Sequence, residues 1–240
     1  MLQIDHLTKS YNKKTVAVKD LSMRVNGGDI FAFIGHNGAG KTTTLRAVAG
    51  ILDFEEGDIF VDGHGIATEP LACKRVMRYI PDSPDLYEHL TGIGHLNFFA
   101  DIYGLDTETR TARIRQYADA FEITDRLGDP IASMSHGMKQ KIALIGALIA
   151  APKLLLLDEP FVGLDPKASH TLKTTMRQMT QAGAAILFST HILEVAEKLC
   201  NKVAIIKDGR LIAAGDMKEV RGDKSLESLF LELTDESNKE

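Results

Sequence analysis

A glycine-rich stretch that contains one lysine carries the strongest chemical signal in the sequence. It runs over residues 35–43, Gly-His-Asn-Gly-Ala-Gly-Lys-Thr-Thr, and fits the pattern G-x-x-x-x-G-K-[ST]. In this pattern the glycines expose backbone N–H groups to phosphate oxygens, and the lysine, here Lys41, reaches the β- and γ-phosphates. The stretch therefore predicts the binding of a magnesium nucleotide.

The flanking residues fit the same interpretation. Residues 30–34 are apolar, β-branched or aromatic and predict a buried strand, and residues 41–49 predict a helix that ends at Gly50. A strand that leads through a glycine loop into a helix places the positive end of the helix dipole at the triphosphate. The alternative is a glycine-rich turn with a surface lysine.

A pair of carboxylates further along the chain supplies a second set of reactive groups. Asp158 and Glu159 follow the continuous apolar run 154–157, which is typical of a strand buried on both faces. Asp158 is suited to hold Mg²⁺ through water, and Glu159 to orient and deprotonate an attacking water. Because ligands collect at the carboxyl ends of parallel strands, we expect this pair to meet the glycine loop. The alternative is an ordinary helix N-cap.

Composition limits the other function classes. The 240 residues carry a formal net charge of -5, which argues weakly against a nucleic-acid partner. Cys73 and Cys200 match neither metal-ligand spacing nor a disulfide framework, which favours a reduced, cytoplasmic setting. The N-terminus lacks the features of a signal peptide. The longest apolar run, 142–151, is about half of what a membrane span needs.

Five motifs in order resemble those of the ATP-binding-cassette (ABC) ATPases, over nearly the whole chain. They are the glycine loop, Ser-His-Gly-Met-Lys-Gln at 135–140, the strand with Asp-Glu-Pro at 154–160, Gly-Leu-Asp-Pro at 163–166 and Ser-Thr-His at 189–191. With the helical pattern between them, the resemblance implies an α/β fold: a P-loop NTPase core with a mostly parallel sheet, an N-terminal antiparallel β subdomain and a helical insertion. We expect one domain, 1–240, with 1–81 and 152–240 as the core and 82–151 as the helical subdomain.

The resemblance also implies a function. The chain is similar to the separate nucleotide-binding subunit of a two-gene transporter, and the run 137–140 resembles the bacterial exporter-type (ABC-2-like) subgroup. The implied cofactors are ATP and Mg²⁺. The implied partners are a separately encoded multi-span membrane permease and a second copy of the chain or a similar ABC subunit, with no nucleic acid. The implied location is cytoplasmic, at the inner face of the cell membrane through the permease.

Roles follow for the residues that match the family motifs. Tyr11 would stack on adenine, Glu159 would be the general base, His191 would hydrogen-bond the γ-phosphate, and Asp165 would lie in the dimer interface. Tyr11 as a half-buried strand-edge residue and His191 as an ordinary histidine are the alternatives. The nucleotide-binding set is Tyr11, Gly35, His36, Asn37, Gly38, Ala39, Gly40, Lys41, Thr42, Thr43, Ser135 and Gly137; the metal set is Thr42, Asp82 and Asp158; and the catalytic set is Glu159, His191 and Lys41.

Ser135 precedes a predicted helix over 136–150, and it is expected both to cap that helix and to contact an anion. By resemblance the anion is the γ-phosphate held by the other protomer. Two chains would then close head-to-tail around two ATP molecules, and a monomer would hydrolyse ATP poorly.

The sequence departs from the family pattern in two places. Asp82 stands where most members have a glutamine; its carboxylate is a good Mg²⁺ ligand but is shorter and charged. The common signature Leu-Ser-Gly-Gly-Gln is replaced by Met-Ser-His-Gly-Met at 134–138. His136 there is interpreted as a solvent-facing helix residue rather than a phosphate contact.

Two questions about partners stay open at this level. Residues 82–103 offer a mixed apolar and polar surface for the permease, or they simply pack the helical insertion onto the core. Rival functions are a soluble cassette ATPase that works on nucleic acid or ribosomes and a regulatory module that binds ATP with little turnover.

Overall fold

Two β-sheets, one antiparallel and one mostly parallel, organise the chain in the computed structural model, which describes residues 1–11 and 15–236. The strands are β1 (Leu2–Tyr11), β2 (Thr15–Val25), β3 (Ile30–Ile34), β4 (Glu56–Val61), β5 (His64–Gly65), β6 (Met77–Ile80), β7 (Leu154–Asp158), β8 (Ala185–Thr190), β9 (Lys202–Lys207) and β10 (Arg210–Asp216). The α-helices are α1 (Lys41–Val48), α2 (Pro70–Val76), α3 (Gly92–Ile102), α4 (Thr107–Ala120), α5 (His136–Leu148), α6 (Pro166–Gln181), α7 (Leu193–Leu199), α8 (Met217–Arg221) and α9 (Leu226–Glu236).

The larger sheet brings the predicted chemistry to one edge. Its strand order is β10-β9-β3-β8-β7-β6, and every neighbouring pair except β9 and β10 is parallel. Strands β3, β7 and β8 are buried at every residue, as their continuous apolar sequences predict. Ile34 is paired with Thr190, and Asp158 with Ser189, so the three strands reach the same edge together.

The smaller sheet is antiparallel and has the order β2-β1-β4-β5. Its inward side chains, such as Leu2, Ile4 and Leu21, form a second apolar cluster together with Leu45 of α1 and one face of the larger sheet. Because β1 ends at Tyr11, this sheet carries an aromatic ring toward the start of α1.

Helices dominate the region between β6 and β7, and each begins at a residue that suits an N-cap. Thr91 accepts from the N–H of Gly94, Asp106 from that of Thr109, and Ser135 caps α5. Their apolar faces share one continuous core with the opposite face of the larger sheet. The predicted fold class is confirmed, whereas the division into a core and a subdomain at 82–151 stays an interpretation.

Two short elements escaped sequence prediction. β5 has two residues and α8 has five, too few to show a hydrophobic period. Helix α7 begins at Leu193, after a local turn in which the N–H of Ile192 donates to the hydroxyl of Thr190.

Across the described ranges, 1–11 and 15–236, none of the helices combines the length and apolar character needed to cross a bilayer.

The buried histidine of α3 makes stability depend on pH. His95 is 2% exposed, and burial lowers its pKa from 6.5 to about 4. Between these values the unfolded chain binds a proton that the folded chain does not, so stability falls as pH drops below 6.5. We expect a loss of about 2 kcal/mol on going from pH 7.5 to 5 that the variant His95→Phe does not show.

Urea unfolding at both pH values measures this difference. The matched control is His89→Phe, which removes an exposed histidine nearby and should leave the pH dependence as in the wild type. An equal loss of stability in His95→Phe and the wild type would contradict the assignment.

Candidate functional site

The glycine loop and the carboxylate pair line one cleft at the carboxyl edge of the larger sheet. The cleft has a volume of about 360 Å³. Its lining residues are His36, Asn37, Gly38, Gly40, Lys41, Thr42, Thr43, Asp82, Asp158 and Glu159. The structure thus brings together most of the residues that the sequence singles out for phosphate, metal and catalysis.

Backbone geometry explains why the loop requires glycine. Gly40 has φ of +109°, and a Cβ there would lie 2.4 Å from the carbonyl oxygen of Ala17. Gly40 also precedes α1 with no side-chain cap in the described part of the chain, so the first N–H groups of the helix remain available. Free amides at a helix N-terminus form a ready site for phosphate.

The ammonium group of Lys41 is buried inside this loop. Its side chain is 6% exposed, and Nζ donates to the carbonyl oxygens of Gly35 at 2.6 Å and His36 at 3.2 Å. Burial lowers the Lys41 pKa, and the charges of Glu159 and Asp158 oppose that shift. Oε1 of Glu159 lies 3.8 Å from Nζ, so a carboxylate faces the ammonium group in the cleft.

The buried carboxylate of Asp158 fits a metal ion. It is 1% exposed, and its Oδ1 accepts a hydrogen bond from the Ser189 hydroxyl. Its Oδ2 is buried without a hydrogen-bond partner among the described residues. Together with the hydroxyl of Thr42 and the exposed carboxylate of Asp82 in the same cleft, this unpaired oxygen suits Mg²⁺, which prefers oxygen ligands.

Glu159 sits in a strained backbone conformation directly after β7. Its φ is +48°, which is unusual for a residue other than glycine, and its N–H is bound by the hydroxyl of Ser189 at 3.0 Å. Oε2 of Glu159 lies 2.9 Å from Nδ1 of His191 and accepts a weaker bond from the His191 N–H at 3.3 Å. Because an ionised carboxylate only accepts, Nδ1 carries the hydrogen in this pair.

Tyr11 lies beside the loop. Its hydroxyl is 3.4 Å from the hydroxyl of Thr43, and the ammonium group of Lys9 lies 5.9 Å from the centre of its ring. The ring is half-exposed at the end of β1, a position open to a nucleobase. Stacking on adenine stays a prediction.

Ser135 and Gly137 do not line the cleft that contains Lys41. The Ser135 hydroxyl accepts from the N–H of Met138 at 3.4 Å and caps α5. A Cβ at Gly137 would lie 2.7 Å from the carbonyl oxygen of Gly163, so α5 approaches the loop that follows the carboxylates within one chain. The ring of His136 covers Gly163, where an added Cβ would lie 2.6 Å from the ring. His136 is otherwise exposed.

Asp165 has two partners inside its own chain. It caps α6 by accepting from the N–H of Ala168 at 2.8 Å, and its other oxygen lies 2.8 Å from Nζ of Lys141 in α5. The Lys141 ammonium is the main cause that lowers the Asp165 pKa. Asp165 thus joins α5 to α6 within one chain. Its role in a dimer interface stays a prediction.

Sequence reasoning missed the parts played by Ser189 and Lys141. Ser189 was recognised only as part of a motif, although it bonds both Asp158 and the backbone of Glu159. The available signal was the buried polar residue at the end of an apolar strand, since such a residue needs a partner. Lys141 offers no comparable signal, because a lysine on a helix usually lies in solvent.

Comparisons with known proteins agree on one family. A family model described as "ABC transporter" matches residues 18–162. The chain is 39% identical over 241 residues to "ABC-type transporter ATP-binding protein EcsA" of Bacillus subtilis (strain 168), covering 98% of this chain and 97% of that protein. It is 34% identical to "Nod factor export ATP-binding protein I" of Sinorhizobium fredii (strain NBRC 101917 / NGR234), covering 89% and 62%. A solved structure described as the "ATP binding subunit of ABC transporter" matches with a TM-score of 0.93 at 37% identity, covering 98% and 99%.

The close contact between α5 and the loop at Gly163 predicts a difference between two glycines of one helix. Gly137→Ala would press a methyl group against a backbone carbonyl and should lower the free energy of unfolding by about 1–3 kcal/mol. Gly146→Ala is the matched control, because a Cβ there would lie 3.7 Å from Leu96, an ordinary contact, and alanine favours the helix by up to about 1 kcal/mol. Urea unfolding compares the two, and equal effects would refute the contact.

Proposed function

The chain belongs to the ABC transporter family, and from that premise we propose that it is the ATP-hydrolysing subunit of a transporter whose membrane permease is a separate protein. In this proposal two copies of the chain, or this chain and a similar subunit, close around two ATP molecules. Closing and reopening of the pair drive the permease, and the direction of transport is export.

One observation carries the proposal: Lys41 and Glu159 meet in a single cleft, 3.8 Å apart. A glycine loop with a lysine binds a triphosphate, and a carboxylate at the neighbouring strand end activates water. Because the Lys41 ammonium group and the Glu159 carboxylate can both reach one phosphate, the arrangement supports hydrolysis of ATP rather than binding alone.

The proposed sequence of contacts begins with Lys41. When a triphosphate enters, its oxygens replace Glu159 as the charged partner of the Lys41 ammonium group. Oε1 of Glu159 is then no longer attracted to Lys41. His191 keeps Glu159 in place through Oε2, so the freed Oε1 accepts the proton of the attacking water. Nε2 of His191 is then the ring nitrogen left for a hydrogen bond to the γ-phosphate.

Mg²⁺, when bound, would neutralise charge that develops on the β- and γ-phosphate oxygens. Thr42, Asp158 and Asp82 are the residues we propose to hold it. Asp158 is positioned for this by the Ser189 hydroxyl, which occupies one carboxylate oxygen and leaves the other unpaired among the described residues. Within the described residues Asp82 is held at its own turn, where Oδ1 accepts from the N–H of Ser83 at 2.8 Å.

The need for a second copy rests on the place of α5. Ser135 and the N-terminus of α5 lie outside the cleft of their own chain, and we propose that they form an anion site there. In a head-to-tail pair this N-terminus would face the γ-phosphate held by the partner. Each site would then be incomplete in a single chain.

Two adjoining clefts support a permease-binding surface. They have volumes of about 280 and 740 Å³ and share Ile51, Arg78, Tyr79 and Tyr103. Exposed apolar side chains line these clefts, which is typical of a surface that binds a partner. They are Ile51, Leu71 and Ile102.

Arg78 lines both clefts. Arg78 stacks with its guanidinium 3.9 Å from the centre of the Tyr103 ring, and its Nε is buried without an acceptor in the described part of the chain. Through the permease the chain would lie at the inner face of the membrane, and the relative named for export supports the direction of transport.

Replacing the proposed base should separate binding from hydrolysis. In Glu159→Gln we expect ATP binding to persist, turnover to fall by about 10²–10⁴-fold, and an ATP-dependent dimer to accumulate, because the amide cannot accept the proton. Phosphate release and light scattering with ATP and Mg²⁺ measure both effects. Full turnover in this variant would rule out Glu159 as the base.

Replacing the proposed phosphate-binding lysine should remove binding itself. Lys41→Ala is expected to lose ATP affinity by at least about 100-fold, since the buried phosphate charge loses its partner. Lys153→Ala is the matched control, as that lysine lies in an exposed ion pair with Asp62 away from the cleft. Undiminished affinity in Lys41→Ala, in a variant that melts cooperatively, would contradict the site.

A substitution in the shared wall of the two clefts tests the permease surface. Ile51→Ser, at a side chain 63% exposed, should leave ATP hydrolysis by the isolated chain unchanged and weaken its association with a multi-span membrane protein from native membranes by about fivefold or more. Phe60→Ser, at a side chain 36% exposed on β4 outside both clefts, is the control. Equal recovery of the membrane protein with both variants would place its contact elsewhere.

A further inference from the structure

The last described helix, α9, packs back toward the phosphate loop. Its residues Leu226 and Phe230 are buried in the core shared with α7. Its first N–H, that of Leu226, donates to Glu197 of α7 at 2.9 Å, and its Thr234 carbonyl accepts from Nζ of Lys207 at 2.5 Å. These contacts fix α9 at both ends.

One aromatic contact joins α9 to the loop. The rings of Phe230 and His36 lie 4.8 Å apart between centres, tilted by 54°, within the range of favourable aromatic pairs. Phe230 is 8% exposed, whereas His36 is exposed on its other sides. The contact therefore attaches an exposed side chain of the loop to a residue that is buried in the core.

The backbone of His36 takes part in the phosphate site. Its carbonyl oxygen accepts from Nζ of Lys41 at 3.2 Å and from the N–H of Ala39 at 3.1 Å, the bond that closes the turn of the loop. Gly35 precedes His36, and Gly38 follows one residue after Asn37, so the loop has backbone freedom on both sides of this pair. A fixed His36 ring limits that freedom before ATP arrives.

The space beside the contact places α9 next to the phosphate loop. A cleft of about 590 Å³ separates part of α9 from the loop, and Glu227, Phe230 and Leu231 line it from one side. Gly35, His36, Asn37 and His191 line it from the other. Helix α9 thus borders both the phosphate loop and the histidine that holds Glu159.

We propose that Phe230 is a positioning residue for the phosphate loop, which it holds through the His36 ring in the conformation that receives ATP. The inference rests on the proposed role of the loop as the ATP site and adds a dependence of ATP affinity on helix α9. The physical reason is preorganisation, because a loop ordered beforehand loses less conformational freedom on binding.

A double-mutant cycle on ATP affinity tests the pair. We expect Phe230→Ala to raise the dissociation constant of the non-hydrolysable analogue AMP-PNP with Mg²⁺ by about three- to tenfold, the range that one aromatic contact supports. The turnover number at saturating ATP should change by less than about twofold, since the reacting groups are untouched. In the His36→Ala background the same substitution should add less than about a further twofold.

Two further variants separate positioning from packing. Phe230→Tyr keeps the ring and should bind AMP-PNP as the wild type does. Leu226→Ala loses apolar burial from the same helix without touching the loop, so it should lower the melting temperature and leave the dissociation constant unchanged. Where Phe230→Ala fails to fold, Phe230→Leu removes the ring at similar volume and should show the same rise.

The outcomes are distinguishable from those of the proposed function. The positioning role would be overturned if Phe230→Ala raised the dissociation constant of AMP-PNP by the same factor in the wild type and in His36→Ala. An equal rise of that constant in Leu226→Ala would overturn it too. In both cases Lys41→Ala would still lose binding, so the phosphate site would stand. Retained binding in Lys41→Ala would instead refute the phosphate site and this inference with it.

Discussion

The structure depends on placing one ammonium group, that of Lys41, where water is largely excluded. Burial of a cation is costly unless nearby dipoles or charges compensate. Here the carbonyl oxygens of Gly35 and His36 supply that compensation at close range, and the carboxylate of Glu159 supplies it at 3.8 Å. The parallel sheet makes this possible because it brings the ends of β3, β7 and β8 to one edge, and the fully buried strands keep the edge rigid.

Much of this arrangement follows from short-range rules in the sequence. The loop at 35–43 carries its own glycine spacing, and the run ending at Asp158 predicts both a buried strand and a carboxylate at its tip. The contacts that tune the site join distant positions: Ser189 to Asp158, Lys141 to Asp165, and Phe230 to His36. No local period encodes such pairs, since each depends on how separate elements pack.

The backbone of Glu159 shows how the site combines strain with support. A left-handed conformation at a glutamate costs free energy and persists only where neighbours hold it. Ser189 and His191 provide that hold through its N–H and its carboxylate. Ser189 lies near the end of strand β8 and His191 directly follows that strand, so the neighbouring strand helps to position the proposed base. This explains why the carboxylate points across the cleft toward Lys41 rather than along the sheet.

Two contacts attach α5 to the loop that follows Glu159: the ion pair between Lys141 and Asp165, and the ring of His136 over Gly163. They have a consequence for how two nucleotide sites would be coupled. In a head-to-tail pair, the start of α5 would touch the nucleotide of the partner, while Gly163 and Asp165 follow the base of its own site. Helix α5 would then contact the nucleotide site of the partner and the loop beside the base of its own chain. In such a pair, a displacement of α5 by the nucleotide on one side would be passed to the loop that follows Glu159 on the other side.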